Sequence, residues 1–185
     1  MLRVLAVICG IVFLFSGCGD YNHISEEGMA LREKLSEGCS FTAHIVADFA
    51  ETTYSFIMNC TVDKSGELKF EVVSPESIAG ICGSVSSSGG KLTFDDAVLV
   101  FPLLADGELS PVCAPWLGVR ALLSGYMRSG ADEGERIRLT IDDSFSGENL
   151  QADIWVSKNG FPEYAEFLWN NHKILSVRFD NFKFA

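Results

Sequence analysis

Cys18 closes the run Leu14-Phe15-Ser16-Gly17-Cys18, at the end of an apolar stretch that begins right after Arg3. A positive residue, an apolar core and small residues before a cleavage point make a secretory signal. Such a site needs no thiol, so a cysteine there points to attachment of lipid. Cys18 is expected to become the mature N-terminus, its thiol carrying lipid, palmitate included. Residues 4–15 have the length of a signal core and fall short of the roughly 17–25 apolar residues of a membrane span. The competing readings are a plain secreted protein and an uncleaved N-terminal anchor.

Four further cysteines remain after cleavage: Cys39, Cys60, Cys82 and Cys113. In an exported chain they point to two disulfides, with three connectivities open. Cys39 and Cys60 fall near the open end of one expected hairpin, which pairs them and leaves Cys82 with Cys113. The alternative is four free, buried thiols. No Cys-x-x-Cys pair or Cys/His cluster has metal-ligand spacing, so no metal or cofactor is expected. The remaining candidates for chemistry are the acidic pairs Asp95-Asp96 and Asp142-Asp143, which a hydrolase would have to bring into one cleft. Aspartates at strand ends also serve turns through local hydrogen bonds, and that reading takes precedence. His23, His44 and His172 lie far apart in sequence, and no nucleophile elbow is present. No catalytic residue is assigned.

The elements that must position these groups are mostly strands. Cys39, Phe41, Ala43, Ile45, Ala47 and Phe49 alternate with Ser40, Thr42, His44 and Asp48. Tyr54, Phe56, Met58, Cys60 and Val62 repeat the pattern against Thr53, Ser55, Asn59 and Thr61. Period two over ten residues marks a half-buried strand, and the short link makes the two a hairpin. Asp63-Lys64-Ser65-Gly66 is a turn into a third strand through Leu68, Phe70 and Val72. Short strands are expected over 78–85, 91–94 and 97–104, then over 137–141, 150–157, 163–169 and 173–184. Near Asp180-Asn181 the apolar phase flips, as a bulge would require. Ser25-Glu26-Glu27 reads as a helix start with Ile24 and Met29 as a hydrophobic staple, and Gly38 ends that helix. Pro115-Trp116 opens a second helix, with Trp116, Val119, Leu123 and Met127 down one side and its end at Gly130. Phe41, Phe49, Phe56, Phe70, Phe94 and Phe101 are core by default and cavity lining by hypothesis.

The chain carries a net charge of −11, and loss of the signal removes one arginine and no acid. An acidic surface disfavours nucleic acid and offers no electrostatic pull toward anionic lipid. The expected layout is a signal over 1–17, a lipidated tether over 18–24 and one domain over 25–185. The fold class is α+β, mostly β: a curled antiparallel sheet of about ten strands, an incomplete barrel, covered by two or so helices.

The element order, and above all the stretch "IWVSKNGFPEYAEFLWNNHKILSVRFDNFKF" over 154–184, resembles the LolA/LolB-like lipoprotein-carrier superfamily, in particular its small clostridial, GerS-like lipoproteins. The resemblance implies a half-barrel with an apolar cavity under its helices, lined here by Phe41, Phe56, Phe70, Trp116, Leu123 and Met127. It implies an acyl chain or an envelope protein, such as a cell-wall amidase, as partner, in sporulation, germination or cell-wall processes. The family's carrier arginine on an early strand has no match, since residues 39–62 contain no arginine. The expectation is therefore a non-enzymatic binding lipoprotein on the extracytoplasmic face of the cell membrane. An envelope hydrolase using the paired aspartates and a purely structural lipoprotein are the alternatives.

Overall fold

The computed structural model describes residues 19–48, 52–95, 97–105, 108–142 and 149–185. Helix α1 (Gly19–Ser36) leads into β1 (Cys39–Asp48), β2 (Thr53–Val62) and β3 (Leu68–Ser74). A short 3-10 turn then precedes β4 (Cys82–Ser86), β5 (Gly89–Phe94) and β6 (Ala97–Phe101). The small hairpin β7 (Leu104–Ala105) and β8 (Glu108–Leu109) precedes helix α2 (Ala114–Ser124). The chain ends in β9 (Tyr126–Asp132), β10 (Arg136–Asp142), β11 (Leu150–Ser157), β12 (Pro162–Trp169) and β13 (His172–Phe184).

Eleven strands form one antiparallel sheet in the order β6-β5-β4-β3-β2-β1-β13-β12-β11-β10-β9. The sheet stays open, with β6 and β9 as its edges, as expected of an incomplete barrel. Period-two patterning has put one face of each central strand into the core. Cys39, Phe41, Ala43, Ile45 and Ala47 on β1 are buried, as are Phe56, Met58, Cys60 and Val62 on β2. Register continues the layer: Ala43 lies opposite Met58 on one side and Phe179 on the other. Helix α2 packs against β13, β1, β10 and β11 and touches α1. Covering four strands with one short helix requires the sheet to curl around it.

The phase flip near Asp180 is a bulge. The β1–β13 register slips between Ser40 and Thr42, and Asn181 takes φ 55°. The extra residue turns Phe182 and Phe184 toward an aromatic cluster in which Phe41 contacts Phe179 and Phe182 at ring-centroid distances of 5.1 and 5.2 Å.

Three expectations about the helices are corrected. Helix α1 is already formed at Gly19, ahead of Ser25, and no proline interrupts residues 19–24. Met29, expected in a hydrophobic staple, is 60% exposed. Helix α2 stops at Ser124, and the stretch expected to finish it is strand β9, which raises the strand count above ten. Gly125 decides this. It takes an extended conformation while its N–H still donates to Ala121 O at 2.8 Å. A Cβ there would lie 2.3 Å from Ile141 Cγ2 and 2.6 Å from Ala121 O, so only glycine permits the abrupt exit.

Candidate functional site

The six residues expected to line a cavity divide into three groups. Phe41, Phe56 and Phe70 are buried in the core. Met127 sits on β9, where its Cε lies over Gly28 of α1, a position that leaves no room for a Cβ. Trp116 and Leu123, one face of α2, line an open groove at the rim of the sheet. Of the other phenylalanines, Phe94 is 50% exposed and Phe101 partly buried; Phe49 lies outside the described residues.

The groove measures about 510 Å³, within the range of about 300–1,000 Å³ usual for ligand sites. Its floor is Trp116, Val119 and Leu123, and its walls are the β2–β3 turn at Ser65, Gly66 and Glu67 and the β4–β5 turn at Ser86 and Ser87. The walls are held by local chemistry. Asp63 accepts a hydrogen bond from Ser65 N at 2.8 Å, and its bonds from Ser65 hold its carboxyl below the usual range. Trp116 Nε1 donates to Gly66 O at 2.9 Å, which ties helix to turn. The Arg120 guanidinium lies 5.3 Å from the Trp116 ring centroid and brings a cation to the groove. From α1, Arg32 Nε donates to Leu122 O at 2.7 Å, and its Nη2 donates to Gly125 O. One arginine thus caps the C-terminal carbonyls of α2.

A second cleft of about 180 Å³ lies between α1 and strands β10 and β11. Leu31, Ile137, Leu139 and Val156 form its apolar floor, with Lys34 and Lys158 at the mouth. Lys158 pairs with Asp132 at 2.5 Å, and Lys34 lies 5.6 Å from the Phe184 ring centroid. Its volume is below the usual ligand range.

The expected disulfides are not shown: in the structure Cys39, Cys60, Cys82 and Cys113 are free thiols. Register explains the first pair. Cys60 lies opposite Phe41 and Cys39 opposite Val62, so the two cysteines are diagonal neighbours. Diagonal Cα atoms of a regular ladder are about 7–8 Å apart, wider than the 4.4–6.8 Å or so usual for a disulfide, and the two thiols are close enough that Cys39 helps to raise Cys60. Cys113 is fully buried and Cys82 is exposed, so elimination had paired a core residue with a surface one. Burial pushes the Cys39 and Cys113 thiols up to about 12. Burial and then the neighbouring Cys39 raise Cys60 further still.

The described members of the acidic pairs fall at the ends of different strands. Asp95 follows the end of β5 and Asp142 closes β10, strands that lie second from opposite edges of the sheet. Asp142 pairs with Arg128 at 3.4 Å. Asp96 and Asp143 lie outside the described residues. His44, expected on the polar face, is there and meets Asp180 Oδ2 at 2.9 Å; Arg178 reaches the same carboxylate at 3.2 Å. Among the described residues, no three His, Cys, Asp or Glu side chains gather as a metal site, and no helix is long and apolar enough to cross a membrane. Cys18 lies outside the described residues.

No family model and no curated protein matches the chain. Solved structures do. An uncharacterized conserved protein from Thermus thermophilus is similar at 11% identity and TM-score 0.49, covering 88% of each chain. A LolA superfamily protein from Nitrosomonas europaea is similar at 9% identity and TM-score 0.45, over 85% of this chain and 93% of that one. A chain from the complex of the CwlD amidase with the GerS lipoprotein of Clostridioides difficile is similar at 16% identity and TM-score 0.45, over 87% of this chain and 95% of that one. A LolA superfamily structure is among those this chain is similar to.

Proposed function

We propose that this chain is a lipid-anchored, non-catalytic binding protein of the bacterial envelope, and that a protein partner docks in the rim groove around Trp116, Arg120 and Leu123. The observation that supports this is the contrast in volume between the groove and the cleft under α1. The space under α1 is about 180 Å³, too small for a long acyl chain, whereas the rim groove is about 510 Å³, open, and lined by both apolar and polar groups. Such a surface suits a peptide segment that brings an apolar side chain and its own backbone polarity. The secretory signal ending in Cys18 supports a position on the extracytoplasmic face, against the membrane. A cell-wall amidase is the partner class that the sequence resemblance implies. A short acyl chain in the α1 cleft is the second reading, favoured by its apolar floor and its lysine-rimmed mouth.

Two measurements test the proposal. Palmitate labelling in the host should mark the wild-type chain and not Cys18→Ser, and Cys18→Ser should move to the soluble fraction; an unlabelled, membrane-bound wild type removes the anchor. Purified Cys18→Ser domain should retain an envelope protein that Leu123→Lys loses, while organic extracts of it contain no lipid. Stoichiometric lipid with no protein would replace the first reading by the second, and neither would end both.

A further inference from the structure

The chain passes from Cys18 straight into helix. Helix α1 runs from Gly19 to Ser36, 18 residues without a proline. A helix of that length spans about 27 Å. Its second half is fixed to the domain. Leu31 and Leu35 are buried, Arg32 donates to Leu122 O and Gly125 O, and Gly28 packs against Met127 of β9. The C-terminal end of α1 meets the wall of the groove. Gly38 abuts Val62 O at the end of β2, and Glu37 pairs at 2.5 Å with Lys64, next to Ser65 and Gly66 of the groove wall. One end of α1 therefore adjoins Cys18 in sequence, and the other adjoins the groove in space.

The side of α1 that faces water is acidic. Glu26, Met29, Ala30, Glu33 and Glu37 are exposed along it, and its cation, Lys34, lies near the Phe184 ring. Met29 is the one large apolar side chain in that row. A helix that lies in a membrane interface buries a broad apolar face and carries cations beside it; α1 offers neither. Laid flat on an anionic bilayer, α1 would bring Glu26, Glu33 and Glu37 within one Debye length, about 8 Å, of the lipid charge. Standing on its N-terminus, it brings only its first turns there, and the positive end of its dipole faces the anionic surface.

We infer that α1 is a spacer, which stands on the bilayer at Cys18 and holds the groove wall about 27 Å from the lipid. This rests on the reading of Cys18 as the anchor. The partner is then an envelope protein whose docking segment works a helix length outside the bilayer, out of contact with lipid. Because α1 is both the first element after the anchor and packed on α2, the orientation of the groove follows that of the helix.

The chain from Cys18 onward holds both helices and every described strand. With Cys82→Ser, Cys18 is its accessible thiol, since Cys39, Cys60 and Cys113 are buried. Coupling Cys18 to maleimide-headgroup lipid, in phosphatidylcholine vesicles containing phosphatidylglycerol, anchors the domain whether or not the host lipidates it. A fluorescent residue is placed at Ser87 on the groove wall, or at Tyr126 beside Met127, and energy transfer to a headgroup acceptor is measured. Transfer should be several-fold stronger from Tyr126 than from Ser87. Ile24→Pro breaks α1 ahead of its packed half, so it should leave the melting temperature unchanged and raise transfer from Ser87. Glu26→Lys with Glu33→Lys should raise it too, on vesicles with phosphatidylglycerol and not on phosphatidylcholine alone. Equal transfer from the two positions in the unbroken chain, or a Ser87 signal indifferent to Ile24→Pro or to the paired lysines, overturns the assignment. A wild-type chain that takes no palmitate in the host leaves these results unaffected, so the anchor and the spacer fail separately.

Discussion

Strands β10–β13 and strands β4–β6 are consecutive antiparallel strands of the same sheet, yet they stand in opposite relation to water. In the first group one face is sealed: Ile137, Leu139, Ile141, Ile154, Phe167 and Val177 are buried. The other face is laced with charge, with Arg136 on Glu163 at 2.6 Å, Arg138 on Glu133 at 2.8 Å and Lys173 on Glu166 at 3.2 Å. In the second group Val85 is the one buried side chain among the described residues, and the outermost strand is apolar on both sides. Helix α2 makes the difference, since it packs on β10, β11, β13 and β1. Stability is concentrated where the helix covers the sheet, and adhesive surface is left where it does not. The uncovered edge can change in sequence without unfolding the core.

The contrast breaks most clearly at Phe167. Phe167→Ala removes a side chain with no exposed surface and should cost about 3–5 kcal/mol in urea unfolding, whereas Leu99→Ala should cost less than about 0.5 kcal/mol. Equal losses would show that the β6 edge belongs to the core. Gly125→Ala, at the hinge between α2 and β9, should cost about 1–3 kcal/mol by overpacking against Ile141; a neutral result would mean that the helix end relaxes freely.

The thiols sharpen the comparison through pH. Cys39, on the covered side, is raised from an ordinary 9.0 to about 12 in the folded chain, and Cys60 and Cys113 are raised by burial too. Below an ordinary thiol's 9.0 both folded and unfolded chains hold these protons, and stability is unaffected. Above it the unfolded chain releases protons that the folded chain keeps, so stability falls as pH rises toward about 12. Urea midpoints should show this decline, reduced in a Cys39→Ala, Cys60→Ala, Cys113→Ala chain. At neutral pH a thiol reagent should modify Cys82 and leave Cys39, Cys60 and Cys113 until urea is added. Rapid labelling of Cys113 would contradict its burial. The smallest effect belongs to the charged face: Arg136→Ala removes an exposed pair and should cost less than about 1 kcal/mol, with more loss at low salt than at high.

Part of this was legible in the residues because it is local. Alternation of period two is a property of neighbouring residues, so β1, β2, β3 and β10–β13 could be placed from it. A bulge announces itself as a break in that period, and Asp180-Asn181 was found by it. The site was less legible. Trp116 and Leu123 were placed on a helix and do line the groove, but the turns at Ser65 and Ser86 that wall it were seen only as turns. Nothing in their own sequence says that α2 ends beside them. Met127 was misplaced because apolar spacing runs on through Gly125, and the clash that forces the exit comes from Ile141 on another strand.

The sequence by itself determined the acidic, mostly β character of the chain, the faces of its long strands and the open antiparallel sheet, since composition and periodicity are sums over neighbouring residues. Tertiary structure alone decided three things: that Cys39 and Cys60 lie diagonally and not directly opposite each other, that Asp95 and Asp142 lie near opposite edges, and that an uncharged apolar strand, β6, is left at the rim. Each depends on which strand lies beside which and in what register. That is set by the packing of the whole sheet around α2, not by any segment within it.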